Sequence, residues 1–482
     1  MSSSTPLPRP SAKNIVINLS AVVREKLTVC FEKIREKRAE TNRFARNPNQ
    51  ELSNFGSFNQ ESVDYGGADE FGGSGDKITE WQAGWNVTNA IQGMFIVSLP
   101  FAVLHGGYWA LVAMIGIAYI CCYTGKILVE CLYEPDANGV NTRVRDSYVA
   151  IAKECFGKRY GPKVVSTAQL IELLMTCILY IVLCGDLMIG TFPDSPIDSR
   201  SWMMISGMFL LPVAFLKNLH HVSTFSFWCT VAHLLVNFII VAYTLACIGQ
   251  WDPSEVNLSI DLDTFPISLG IIVFSYTSHI FLPTLEGNMQ MPEQFNNMLD
   301  WSHLVAAIFK SGFGYLAFLT WQKSTLQVIT NNLPTVWKSL VNVILVLKAV
   351  LSFPLPYYAA VELLEKIFFP KRKHPELIWD KWGDLTNIGC MFRVIVVVVC
   401  ILSAVLIPHF GILMGFIGNF TGTMLSFIWP CYFHLKLKGN SLHWKQVAFD
   451  CFIIFLGFLF AIVGIYDSGK AMVEAFAIGL PF

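Results

Sequence analysis

Charge is scarce in this chain. Only 14% of its 482 residues are Asp, Glu, Lys or Arg, well below the ~25% of an ordinary soluble domain. That scarcity excludes a large hydrated surface. The net charge of −1 says nothing about partners, because the charges are sorted by loop; no nucleic-acid partner is expected. The motifs of catalysis are absent too, with no metal-ligand cluster, nucleophile elbow or Gly-rich phosphate loop in a suitable context. No cofactor is expected, and an integral-membrane enzyme is the least supported class. Nor does an apolar core precede the first basic cluster, so no cleavable signal peptide is expected.

Apolar residues make up 54% of the chain. From about residue 85 onward they recur in runs of about 20, enough to cross a hydrocarbon core of ~30 Å. The predicted class is an all-α polytopic membrane protein. Most of the 13 cysteines lie in or beside these runs, where they read as small packing residues rather than a disulfide framework.

Residues 1–80 read as a cytosolic, largely disordered tail. Within it, 14–38 (NIVINLSAVVREKLTVCFEKIREKR) sets Val16, Leu19, Val23, Leu27, Cys30 and Ile34 on one helical face with basic residues around it. That is either a helix lying on an anionic membrane surface or a solvated segment. Residues 50–78, rich in Gly, Ser, Asn and acids, read as disordered.

Eleven spans are predicted: 85–104, 108–132, 164–190, 202–217, 222–248, 265–286, 303–321, 337–363, 389–408, 411–435 and 446–466. The transmembrane domain is 81–466, with 467–482 a short luminal C-terminus. The 133–163 loop holds Arg143, Arg145, Lys153, Lys158, Arg159 and Lys163, and Lys366, Lys371, Arg372, Lys373 and Lys381 cluster between spans 8 and 9. The 249–264 loop has no Lys or Arg but carries Asp252, Glu255, Asp261 and Asp263. The basic loops fall on one side if the N-terminus is cytosolic. The Asn257-Leu258-Ser259 sequon is then non-cytoplasmic, which makes Asn257 a candidate glycosylation site.

Two spans contain residues that hydrocarbon cannot satisfy. Span 1 carries Asn89, Gln92, Gly93, Ser98 and Pro100. Span 6 runs into FSYTSHIFLPTLEGNMQ, with Ser275, Tyr276, Thr277, Ser278, His279 and Pro283. Each opens a group of five, 85–248 and 265–435, and five is odd, so the groups enter from opposite faces as an inverted repeat. Paired interruptions at matching positions point to a transporter's central site. An unwound helix in lipid costs several kcal/mol per exposed peptide group, tolerated only in a protein-lined or polar cavity. The exposed N–H end suits a carboxylate and the carbonyl end an ammonium or a cation, so a zwitterionic amino acid is the natural cargo. The bland alternative is a pair of Pro/Gly kinks that help helices pack.

The stretches WQAGWNVTNAIQGMFIVSLPFAVLHGG, CCYTGKILVECLY, RVRDSYVAIA, FPISLGIIVFSYTSHIFLPTLEGNM and LSFPLPYYAAVELLEK resemble the vesicular inhibitory amino acid branch of the amino acid/auxin permease family. The likeness covers residue 77 to about 466. It implies the amino acid–polyamine–organocation fold, that is, a LeuT-like five-plus-five inverted repeat with broken helices 1 and 6 and an eleventh helix. It also implies loading of GABA, with glycine as a second substrate, into synaptic vesicles, driven by the proton gradient of a vacuolar proton ATPase. The family's Asn-Ala-Ile-X-Gly segment falls on Asn89 to Gly93, implied to hold the carboxylate or cation end of the site beside Met94. Related permeases often have a glycine where this chain has Phe95, which narrows or reshapes the pocket. Ser275, Tyr276, Thr277 and Tyr180 complete the expected substrate site.

Ionisable residues inside spans are functional hypotheses by default. Span 3 aligns Gln169, Glu172, Thr176 and Tyr180 on one stripe; Glu172 reads as a proton carrier or as a carboxylate locked to a basic partner. Span 8 places Lys348 one turn before Ser352. By analogy with sodium-coupled relatives of the fold, its ammonium stands where a sodium ion would sit; the alternative is a lysine snorkelling to the surface. His279 either titrates or is a neutral ring hydrogen-bonded in the break. Lys310, Glu362, Asp186 and Asp450 read as interfacial anchors, and Glu286 as part of a cytoplasmic gate. Proton antiport and chloride involvement both remain open. So do a plasma-membrane permease coupled to sodium or inward protons, and a non-transporting amino acid sensor.

Overall fold

The computed structural model describes residues 78–479 except 92, 137–138, 213–219, 262–263, 370–376, 379–384 and 408. The amphipathic stretch at 14–38 and the Gly/Ser-rich stretch up to residue 77 lie outside the described residues.

The described chain is helical apart from one short hairpin. Helix α1 (Glu80–Ile91) is followed by a 3₁₀ turn, Met94–Ser98, which runs into α2 (Leu99–Glu130). Strands β1 (Tyr133–Pro135) and β2 (Asn141–Arg143) pair antiparallel with Tyr133 opposite Arg143. Then come α3 (Tyr148–Phe156), α4 (Gly161–Thr191), α5 (Ser199–Leu210) and α6 (His220–Ala246). Next are α7 (Phe265–Tyr276), the short α8 (Leu282–Gly287) and α9 (Phe295–Trp321). Helices α10 (Thr335–Ser352) and α11 (Pro354–Phe368) abut at a proline kink, and α12 is Asn387–Leu406. Helix α13 (Phe410–Ile417) continues through π-helical turns at Gly418–Gly422 and Met424–Ile428 into α14 (Trp429–Lys438). Last is α15 (Trp444–Gly479).

Local chemistry sets the boundaries. Ser147 caps α3 by accepting from the Ala150 N–H at 3.2 Å, and Gly157, at φ 87°, ends it where an L side chain is strained. Thr386 caps α12 by accepting from the Gly389 N–H at 3.1 Å. Outward faces are apolar: Val112 and Ile115 on α2, Leu402 and Leu406 on α12, Phe455 and Ile462 on α15 are exposed. Such faces suit hydrocarbon, not water.

Among the described residues, seven helices are long and apolar enough to cross a membrane: Met94–Glu130, Gly161–Thr191, Pro292–Ser324, Thr335–Phe368, Asn387–Leu406, Phe410–Ser441 and Trp444–Glu474. The difference from the eleven expected comes partly from breaks in the backbone and partly from residues that are not described. The second half of span 1 and all of span 2 form one element, hinged at Gly107 (φ 53°, ψ −141°). Span 4 is short (Ser199–Leu210) and its expected end lies outside the described residues. Span 5 is the 27-residue helix His220–Ala246, whose side chains are described only from Val231 onward, and the helix of span 6, Phe265–Tyr276, ends at the interruption. Helix α15 also runs past residue 466, the expected end of span 11.

The centre of the packing is α7, buried from Pro266 to Tyr276. It lies against α2 and α13, while α9 packs on α1 and α2, and α10 on α4. At Gly270 a Cβ would come 2.1 Å from the Gly415 carbonyl oxygen, and at Gly418 it would come 1.9 Å from that of Gly270. Only glycine permits this backbone approach. Ser268 Oγ donates to the Ala102 carbonyl at 2.8 Å and Asn419 Nδ2 to that of Pro266 at 2.9 Å.

Two further ties bear on α8. Tyr133 and Arg143, opposed on the hairpin, both reach Glu286: Tyr133 donates its hydroxyl to one carboxylate oxygen and Arg143 lies 3.5 Å from the other. Arg143 also donates to the Pro283 carbonyl at 2.8 Å. Residue 78 bridges the chain just beyond α8, with Ile78 N–H to Asn288 O and Gln290 N–H to Ile78 O, both 2.8 Å. Asn257 is exposed on a loop whose backbone is pinned: its carbonyl accepts from the Tyr108 N–H at 3.1 Å, and Trp109 Nε1 donates to Leu258 O at 2.9 Å.

Candidate functional site

Both predicted interruptions are present in the backbone. The first falls between Ile91 and Met94. Gly93 (φ −45°, ψ 170°) precedes the 3₁₀ turn without a side-chain cap, so the first N–H groups there have no side-chain acceptor. Met94 is buried and Phe95 half-buried. Gln92 and the side chain of Asn89 lie outside the described residues.

The second interruption separates α7 from α8. Thr277 turns the chain out of the helix (φ −67°, ψ 115°), and Pro283 sits in the first turn of α8, where its missing N–H costs nothing. Two hydroxyls fold back onto α7: Ser275 donates to Ile272 O at 2.7 Å and Thr277 to Val273 O at 3.1 Å. Tyr276 Oη and Ser278 Oγ are buried with no partner among the described residues. Buried polar atoms are normally satisfied, so this pair marks a place where the protein alone is incomplete.

Phe95 joins the two breaks. Its ring centroid lies 5.2 Å from Tyr180 on α4, 5.4 Å from Phe274 on α7 and 6.0 Å from Phe410 at the start of α13. These spacings are those of attractive aromatic pairs. Tyr180 was expected here. Phe274 and Phe410 were not, because aromatic residues in apolar runs look like ordinary core.

The stripe on α4 faces inward. Gln169 and Glu172 are buried, and Thr176 donates to the Glu172 carbonyl at 2.8 Å. Thr421 lies near the Glu172 carboxylate but donates its hydroxyl to the Ile417 carbonyl at 3.2 Å, and Glu172 Oε2 has no partner among the described residues. Tyr148, also within electrostatic reach of Glu172, donates to Leu425 O at 2.7 Å. Thr421 and Leu425 both belong to the π-helical stretch; π turns recur at functional sites. Among the described residues Glu172 has no ion pair.

Lys348 is buried near the end of α10, the helix that packs along α4, and Ser352 closes α10. Burial is at odds with a snorkelling lysine. His279 is fully buried, its Nε2 2.9 Å from Thr124 Oγ1. Thr124 Oγ1 also lies 2.9 Å from Ile120 O, and His279 Nδ1 has no partner among the described residues.

Two of the anchor assignments need correction. Asp450 is fully buried, accepting from Tyr123 Oη at 2.7 Å and lying 2.7 Å from His434 Nδ1. Lys310 is also fully buried, donating to the carbonyl and hydroxyl of Ser275. Span 7 starts earlier than its apolar run suggests, since the polar stretch FNNMLDWS is already helix, and Lys310 is mid-helix rather than near an end. Glu362 does sit half-exposed, paired with Lys366 at 2.7 Å, and Asp186 is half-buried. The 11 described cysteines are all free thiols.

A bundle of membrane-length helices, two spans of which come apart around an enclosed aromatic and polar cluster, defines a polytopic membrane protein built like a small-molecule carrier. Residues 76–468 match the family described as transmembrane amino acid transporter protein, and the chain belongs to that family. It is 49% identical to the vesicular inhibitory amino acid transporter of Homo sapiens over 417 residues, covering 85% of this chain and 79% of that one. It is 47% identical to the vesicular GABA transporter of Caenorhabditis elegans over 411 residues, covering 84% and 82%. Among solved structures, a Na+-coupled sialic acid symporter in a substrate-bound, outward-open state is similar at TM-score 0.48 and 12% identity, covering 86% and 92%. The family and the curated relatives are transporters, not enzymes.

Proposed function

We propose that the protein loads GABA, with glycine as a second substrate, into synaptic vesicles by alternating access, coupled to the proton electrochemical gradient of a vacuolar proton ATPase. The observation that carries this reading is the pair of interrupted spans meeting at Phe95, in a chain 49% identical to a relative named for vesicular inhibitory amino acid transport. The reading keeps eleven spans in a five-plus-five inverted repeat, a cytosolic N-terminus and a luminal C-terminus.

In this reading Asn89, Gln92, Gly93, Met94 and Phe95 hold one end of the zwitterion, and Ser275, Tyr276, Thr277 and Tyr180 the other. Glu172 carries a proton. Lys348, beside Ser352, supplies an internal cation in place of sodium, and His279 braces the break from Thr124. Swapping one luminal proton for one zwitterion uses ~1.4 kcal/mol per pH unit and ~2.3 kcal/mol per 100 mV of inside-positive potential. At ~1.4 kcal/mol per tenfold step, that supports roughly hundredfold to thousandfold accumulation. Chloride entering with the substrate would draw on the potential differently.

The test is uptake of labelled GABA into proteoliposomes holding the purified protein, with an acidic, positive interior. Collapsing both gradients is expected to abolish accumulation, and Glu172→Gln and Lys348→Ala each to reduce it about tenfold, or ~1.4 kcal/mol. Undiminished uptake by both variants would remove these assignments. A sodium requirement would transfer the protein to the plasma-membrane class, and binding without flux to the sensors.

A further inference from the structure

Lys310 is a fully buried lysine, and among the described residues no carboxylate pairs with it. A buried ammonium needs compensation, and here one place supplies it: the broken end of α7. Nζ donates to the Ser275 carbonyl, lies 3.1 Å from Ser275 Oγ, and sits 3.8 Å from the centroid of the Tyr276 ring. A carbonyl at a helix C-terminus carries partial negative charge, and a ring face attracts a cation. The grip is therefore made wholly of dipoles and a π face, and it holds the last turn before the interruption.

The surroundings are polar and incompletely satisfied. Cys121 on α2 is within electrostatic reach of Lys310, and so is His303, two turns earlier on α9. His279 lies next to His303. His303 gives Nδ1 to Leu299 O at 3.0 Å, which leaves its Nε2 unpartnered, as are Nδ1 of His279 and Oη of Tyr276. Asp300 and Lys126 pair with each other at 2.6 Å. Helices α1 and α6 also pack on α9, but α1 meets it at Trp301 and Ser302, and Tyr243 of α6 stacks on Trp321 at its far end. His233 is the remaining described histidine on α6.

We propose that Lys310 is a proton-coupling residue of the transport cycle, its ammonium serving as a built-in cation that fixes the broken end of α7 and releases it when the proton leaves. The ammonium gives its proton to water, becoming a neutral amine whose uncharged N–H holds the Ser275 carbonyl and the Tyr276 ring face far more weakly; a hydronium from the opposite side restores the charge. The proposal rests on the transport reading above and adds a coupling group to it.

The test compares two assays on the reconstituted full chain: net GABA accumulation under an imposed pH gradient, and exchange of labelled for unlabelled GABA with no gradient, across pH. Lys310→Met is expected to lose accumulation at least tenfold while keeping exchange, and its exchange keeps only the pH dependence that Glu172 contributes. A folded Lys310→Met protein that accumulates like wild type overturns the proposal, as does one that loses exchange together with accumulation. Should Lys310→Met not fold, Ser275→Ala removes one acceptor and keeps the lysine. A shift of about half a pH unit or more in its exchange profile supports the proposal, and an unshifted profile overturns it. Lys310→Arg, which keeps the charge but cannot give up its proton, is expected to exchange without accumulating. Wild-type protein that exchanges no GABA refutes the transport reading itself, independently of Lys310.

Discussion

Phe95 shapes the candidate site at the scale of single residues, because it touches aromatic rings from three other elements, α4, α7 and α13. Truncating it removes three ring contacts at once and opens the space a short, flexible substrate needs closed. Phe95→Ala is expected to raise the KM for GABA about tenfold, a loss of ~1.4 kcal/mol, and to let larger amino acids compete. A competition series of glycine, β-alanine, GABA and leucine against GABA uptake measures both effects. Phe95 was legible because the family often has a small residue there. Lys310 was not, because a lone lysine in an apolar run reads as an anchor reaching for the membrane surface. Its true depth is set by packing of α9 on α1 and α2, which hydropathy does not register.

At the scale of elements, the breaks were the most readable feature. Hydroxyls, a proline and a glycine in an apolar run conflict with a continuous helix in lipid, and the backbone opens where they cluster. The hairpin and its hold on Glu286 were only half visible: Glu286 suggested a gate, but nothing in the charge count showed Tyr133 and Arg143 on one face of β1–β2. The contact of α7 with α13 was hidden for another reason, since glycines in apolar helices are too common to single out Gly270 and Gly418. An added methyl at Gly418 would meet the Gly270 carbonyl at 1.9 Å. Gly418→Ala is therefore expected to cost ~1–3 kcal/mol by overpacking and to lower the melting temperature in detergent by several degrees. Gly439→Ala, where nothing lies within 4 Å, is the control and should melt like wild type.

For the whole molecule, orientation is the property most open to test. The acidic 249–264 loop carries an exposed Asn257 whose backbone is held by Tyr108 and whose neighbour Leu258 is held by Trp109. If that face is luminal, expression in cells with a glycosylation pathway gives a band that shifts on glycosidase treatment, and Asn257→Gln abolishes the shift. An unmodified wild-type protein would reverse the assignment of the two faces. Class and membrane character followed from composition, because crossing hydrocarbon demands long apolar helices. The joining of spans 1 and 2 across Gly107 and the early end of the first half of span 6 did not, because both are set by backbone breaks inside apolar runs.

The bridge at Ile78 has a mechanical meaning. Two backbone hydrogen bonds fasten this residue to the stretch leaving α8, and α8, the helix beyond the second interruption, is also held by the hairpin through Glu286 and the Pro283 carbonyl. Force applied to the chain ahead of Ile78 would therefore be felt first beside that interruption, as tension on a leash is felt at the collar.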